Sequence, residues 1–186
     1  MKIYFDQGHN PQNPNAGAEG NGLREQDITY EVGARLAELL RADGRFEVRL
    51  SRPTPTTQLG TSNATSLAAR VNDANNWGAD YFISIHANAS TDPAVSGSEA
   101  YVFARPSRAY ELAEDLLDEL NEATGLRNRG VLINRGLYVL RRTRMPAVLV
   151  ELGYITNAYD ANLMDSNPQL FADGLYRGIL AYFDYD

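Results

Sequence analysis

The sequence predicts a single α/β domain, a twisted, mostly parallel or mixed sheet flanked by helices on both faces. Three observations carry that prediction. Strand-like and helix-like segments alternate along the chain, no internal repeat or linker separates them, and 186 residues suffice for one buried core. One domain over 1–186 is expected.

The first apolar run, Ile3-Tyr4-Phe5, leads through Asp6-Gln7-Gly8 to His9 and reads as a strand with a polar exit. Residues 10–22 are rich in Asn, Gly and Pro, so they read as an irregular loop at an active site. A helix follows over about 24–42, with Ile28, Val32, Leu36, Leu39 and Leu40 on one face and Gly44 just beyond its end. Residues 46–50 alternate as a strand until Pro53 and Pro55 break the chain into a loop. A helix over 66–77 feeds the strand that begins at Tyr81 and exits through His86.

A fourth strand is expected over 97–103. Residues 108–123 place Leu112, Leu116, Leu117 and Leu120 on one face of a helix that Gly125 ends. Two further strands are expected over 137–140 and 147–150, the second apolar throughout and therefore central. Asn167-Pro168 has helix-start chemistry, and Leu170, Phe171, Leu175, Ile179 and Phe183 carry a docked helix to the terminus.

The composition excludes several classes of function. A net charge of −7 and a pI near 4.9 leave no basic footprint for nucleic acid. No apolar run approaches the length of a membrane span, so no membrane insertion is expected. Met1-Lys2 leads straight into the first strand without a signal-type segment. Cysteine is absent, so any zinc takes nitrogen and oxygen ligands. Lys2 is the sole lysine, which leaves positive charge to arginine, a residue suited to carboxylates. A habit of composition is the favoured explanation of that bias over any binding role. A spaced Gly17, Gly20 and Gly22 does not follow the phosphate-binding order and stands too far from its strand for a nucleotide turn.

Both histidines of the chain, His9 and His86, leave strand-like runs at the end where open α/β sheets gather functional groups. Glu151 leaves the 147–150 run in the same way. Glu25, three residues before Ile28, shares the face of its helix that packs toward the sheet. Two imidazoles and one carboxylate are an established set for a catalytic zinc, which acidifies water and polarises an amide carbonyl. His9, Glu25 and His86 can supply such a set for one Zn2+, with Glu151 as the best candidate for proton carrier. A fourth-ligand or ion-pair role for Glu151, and a helix-dipole role for Glu25, are the structural alternatives.

The residues resemble the zinc-dependent N-acetylmuramoyl-L-alanine amidases of bacterial autolysins, spore-cortex enzymes and phage endolysins. Asp6-Gln7-Gly8-His9 looks like the first zinc motif of that family, and Gly22-Leu23-Arg24-Glu25-Gln26-Asp27 like the segment that carries its Glu ligand. Ser84-Ile85-His86-Ala87-Asn88 is similar to the second His motif, and the segment from Pro146 to Asn157 to the one with the catalytic Glu. Arg70, Ala74 and Asn75 resemble the helix before the second His motif. Gln7, Asn10 and Tyr154 depart from the usual pattern without touching a ligand position. Glu19 is a rival to Glu25, but the resemblance does not select it.

The resemblance implies hydrolysis of the amide between N-acetylmuramic acid and L-alanine in peptidoglycan, by a monomer acting on the cell wall outside the cytoplasmic membrane. With no signal peptide in this chain, phage-type release or an excised domain is expected. Asn88 and Arg141, the latter with Arg142 and Arg144, are candidates for holding substrate. The same site chemistry would serve a zinc peptidase, and a wall-binding module is the reading from another class.

Overall fold

The computed structural model describes residues 1–185. In chain order the elements are β1 (Lys2–Gln7), β2 (Glu19–Gly20), β3 (Leu23–Arg24), α1 (Glu25–Asp43), β4 (Glu47–Leu50), α2 (Asn63–Trp77) and β5 (Tyr81–Asn88). They continue with β6 (Ser98–Val102), α3 (Arg108–Thr124), β7 (Asn128–Ile133), α4 (Tyr138–Arg142), β8 (Ala147–Tyr154), α5 (Ala158–Ser166) and α6 (Pro168–Tyr182). Six strands form one mixed sheet in the order β4-β1-β5-β8-β6-β7, in which β6 runs antiparallel to β8 and the other neighbours are parallel. β2 and β3 form a separate two-stranded ladder.

Alternation along the strands divides the core in two. Ile3, Phe5, Ile83, Ile85, Val148, Val150, Ala100 and Val102 face α1, α3 and α6 in the larger cluster. Tyr4, Phe82, Ala147 and Leu149 face α2 and α4 in the smaller one. The central strand is β8, between β5 and β6, as its unbroken apolar run predicts. Ser62 caps α2 through the backbone N–H of Thr65, and Asn157 caps α5 through those of Tyr159 and Asp160.

The segment 137–140, expected as a strand, is instead extended at Leu137 and then helical through α4. Both edges of β8 are already occupied by β5 and β6, so no ladder is open to it there. Val139 and Leu140 are consecutive buried residues, which suits one helical turn laid on the smaller core better than an alternating strand. β7 and α5 carry too little periodic signal to be read from sequence. Gly130 interrupts β7, and Leu132 and Ile133 are exposed on the sheet edge. The loop over 10–22 is irregular except for its short β2 pairing. α6 stops at Tyr182, one residue before Phe183.

Candidate metal centre and active site

Strand register builds the centre of the site. Glu151 on β8 is paired with His86 on β5 and with Glu99 on β6, so three polar residues form one row across three strands. Alternation from Phe82 and Leu149 turns His86 and Glu151 toward the face of α2 and α4, which carries the thinner helical cover.

His9 reaches the row from the loop after β1, with φ at 67°, a left-handed conformation that a non-glycine residue holds only when its surroundings demand it. Those surroundings are two buried arginines. Arg70 Nη1 donates to Asp6 Oδ1 and to the carbonyl of Gln7, each at 2.6 Å, and Nη2 donates to the carbonyl of His9 at 2.6 Å. Arg52 Nη1 donates to the carbonyl of Gln26 at 2.9 Å and binds α1 to the same loop. Ser84 Oγ donates to Asp6 Oδ2 at 2.8 Å. Burial pushes the Asp6 carboxyl up, but the charge and hydrogen bond of Arg70 outweigh it and hold the group below its usual range.

Gly8 makes the approach of the two histidines possible. Its N–H donates to Ile85 at 2.9 Å, and a Cβ at this position would lie 2.5 Å from His86 Cε1. The His9 and His86 rings therefore meet edge to face with centroids 4.9 Å apart.

Glu25, the first residue of α1, bridges them. Its Oε2 lies 3.1 Å from His9 Nε2 and its Oε1 2.9 Å from His86 Nδ1. Backbone N–H groups of Ala18 and Ala87 fix the carboxylate from either side. Burial raises the Glu25 pKa, yet the hydrogen bonds and charges of His86 and His9 prevail and hold the group ionised well below the carboxylate range. Ligand atoms of His9, Glu25 and His86 all lie within 4.8 Å of one another. Two imidazole nitrogens and an ionised carboxylate in that space fit one divalent cation.

Glu151 differs from Glu25 in kind. Its Oε2 is buried with no hydrogen-bond partner. Burial, then the charges of Glu25 and Glu99, raise its pKa well above the usual carboxylate value. A carboxyl tuned upward beside the His9–Glu25–His86 group suits proton transfer.

The family model described as N-acetylmuramoyl-L-alanine amidase matches residues 3–181. The chain belongs to this family. It is 36% identical over 187 residues to the N-acetylmuramoyl-L-alanine amidase LytC of Bacillus subtilis (strain 168), covering 97% of this chain and 35% of LytC. Identity is 34% over 189 residues to the N-acetylmuramoyl-L-alanine amidase CwlM of Bacillus licheniformis, with 99% of this chain and 69% of that protein covered. Among solved structures, the catalytic domain of CwlV from Bacillus (Paenibacillus) polymyxa var. colistinus superposes with a TM-score of 0.86 at 30% identity, covering 100% of this chain and 99% of that one. The CwlD amidase of Clostridioides difficile, solved in complex with the GerS lipoprotein, gives a TM-score of 0.90 at 25% identity over 100% and 99% of the two chains. The family's enzymes are hydrolases that act on the peptidoglycan cell wall. Among the described residues of this chain, no helix is long and apolar enough to cross a membrane.

The remaining sequence candidates fall differently. Asn88 donates from Nδ2 to Glu99 Oε1 at 2.8 Å and accepts the N–H of Ala89 at 2.9 Å, so it both caps its loop and steadies the carboxylate beside Glu151. Arg141 is not brought to the cluster. It lines a groove of about 490 Å³ with Phe103, Pro146 and Ala147, at the start of β8 and four residues before Glu151. Glu19 is exposed on the β2–β3 ladder, outside the cluster.

Glu99 escaped the sequence reading. It is 4% exposed and receives hydrogen bonds from Asn88, Tyr101 and Arg129. Alternation around 97–103 marks one face of a strand, but only the antiparallel register opposite β8 puts Glu99 beside Glu151.

Proposed function

We propose that residues 1–186 form one catalytic domain that cleaves the amide between N-acetylmuramic acid and L-alanine, with a single zinc ion held by His9, Glu25 and His86. The observation that carries this reading is the His9–Glu25–His86 cluster, whose His86 stands in register with Glu151, a residue with a buried, partnerless Oε2. Zinc suits a nitrogen and oxygen donor set of three with a position left open, and when bound it would polarise the scissile carbonyl and acidify water.

The protein's own groups supply the rest. Glu25, fixed by two backbone N–H groups, presents its carboxylate between the two imidazoles. Arg70 and Arg52 hold the loop of His9 in place. Glu151 takes a proton from the attacking water and returns it to the leaving amine of L-alanine.

Mass spectrometry of purified peptidoglycan after incubation with the protein tests this reading, run with and without chelator and with zinc restored. Free stem peptides that begin with L-alanine, lost on chelation and regained with zinc, are expected. Shortened peptides still joined to muramic acid would replace the amidase with a peptidase.

A further inference from the structure

The geometry points to Arg129 as a carboxylate-binding subsite of the active centre, one that selects substrates with a free acid close to the scissile amide. This rests on the amidase reading above and extends it to the peptide side of the substrate.

The row His86–Glu151–Glu99 continues onto the edge strand. β6 and β7 are regularly paired from Ala100 and Val131 onward, but between Ser98–Asn128 and that pair the register shifts by one residue. Arg129 and Gly130 together face the single residue Glu99, which is a β-bulge, and Gly130 takes the φ of 89° that the bulge requires. Bulges beside active sites re-aim a side chain, and this one turns Arg129 onto Glu99, with Nε 3.0 Å from Glu99 Oε2.

Glu99 is itself fixed by Asn88 and Tyr101, so it serves as an anchor for the guanidinium. A second bond runs from Arg129 Nη1 to the carbonyl of Ser96 at 3.3 Å, and the guanidinium carbon lies 5.4 Å from the centre of the Tyr154 ring. An arginine has five N–H donors in a planar fork, so two bonds leave the others to an incoming group. The side chain is 31% exposed, which keeps that edge open to solvent.

Distance sets which acid it would meet. Neighbouring strands lie about 4.8 Å apart, so β7 stands roughly 10 Å from β8, and the lean toward Glu99 shortens that reach. A peptide residue spans about 3.4 Å, which places the guanidinium near the carboxylate of the second residue of a bound muramyl peptide. Arg129 is thus a specificity residue, oriented by Glu99 and not part of bond cleavage.

Two synthetic muramyl dipeptides separate the outcomes, one with a free carboxylate on its second residue and one with that group as carboxamide. The zinc-loaded wild-type protein is expected to favour the acid at least about tenfold in kcat/KM, expressed in KM, as a charge-assisted pair allows. Arg129→Gln should lower turnover of the acid relative to the carboxamide, so that the ratio of the two kcat/KM values falls to about one. Arg129→Lys, which keeps the charge without the fork, should recover part of the preference. Equal use of both substrates by the wild type, or an equal fall for both in Arg129→Gln, would overturn the subsite. If the folded, zinc-loaded wild type releases no L-alanine-terminated product from either dipeptide or from intact peptidoglycan, the amidase reading fails and takes this proposal with it.

Discussion

Glu151 and Glu99 stand directly opposite one another across the antiparallel β6–β8 ladder, two carboxylates in one row with opposite surroundings. Glu99 is surrounded by donors, whereas Glu151 Oε2 has none. A group that carries protons needs the second environment. Glu151→Gln should lower amide hydrolysis by roughly 10²–10⁴-fold, since it keeps the shape and removes proton transfer. Zinc content and melting temperature should stay at wild-type values, and measured turnover close to wild type would remove Glu151 from the chemistry.

Metal binding should follow the three clustered residues. Elemental analysis of the purified protein is expected to give one ion per chain, and His86→Ala or His9→Ala should lose it. Because an ion that binds only the folded state stabilises by mass action, adding zinc at about 100 times its Kd should contribute about 2.7 kcal/mol. A melting temperature insensitive to chelator would contradict this.

Gly8 offers a test that leaves every ligand in place. A Cβ there would meet His86 Cε1 at 2.5 Å, His86 Nε2 at 2.7 Å and the carbonyl of Ile85 at 2.7 Å, so Gly8→Ala must displace the ring. Overpacking of this kind costs about 1–3 kcal/mol. The expected result is a folded protein with weakened zinc affinity in a competition titration. Unchanged affinity would show that His86 is not a ligand.

Asp6 and Arg70 form a buried ion pair at 2.6 Å, and its pH dependence has a definite sign. The Asp6 carboxyl is lowered from 3.8 in the folded chain, so its stabilisation is complete above about 3.8 and is lost as pH falls through the folded value. Asp6→Asn leaves the Arg70 charge buried without its partner, at a cost of about 3–5 kcal/mol near neutral pH. Denaturant titrations from pH 7 down to 3 should show the gap between the two proteins constant at first and narrowing below about pH 4. A constant gap throughout would assign the loss to packing.

Much of this architecture was legible in the chain because it rests on local periodicity. The long amphipathic helices α1, α3 and α6, and the apolar run of β8, bury residues that their spacing alone marks. The candidate site residues were legible for a related reason. His86 and Glu151 follow apolar residues directly, His9 follows its run after Asp6-Gln7-Gly8, and Glu25 opens a helix whose inward face is set by Ile28 and Val32.

Short elements were not legible, because nothing within a few residues decides them. The segment 137–140 has four consecutive residues of strand-like character, and it became a helix only because β5 and β6 already fill both edges of β8. The arginines show the same limit. Arg141 and Arg129 carry identical chemistry, and strand order alone sends one to the start of β8 and a bulge brings the other to Glu99.

The sequence by itself determined the α/β class and the central strand and offered His9, Glu25 and His86 as a candidate ligand set, since each reading depends on residue type and spacing within short stretches of chain. Only the tertiary structure decided that Glu99 faces Glu151, that two buried arginines hold the loop of His9, and that Arg129 lies against Glu99. Those relationships join strands and loops far apart in sequence, and register between them is a property of the whole sheet.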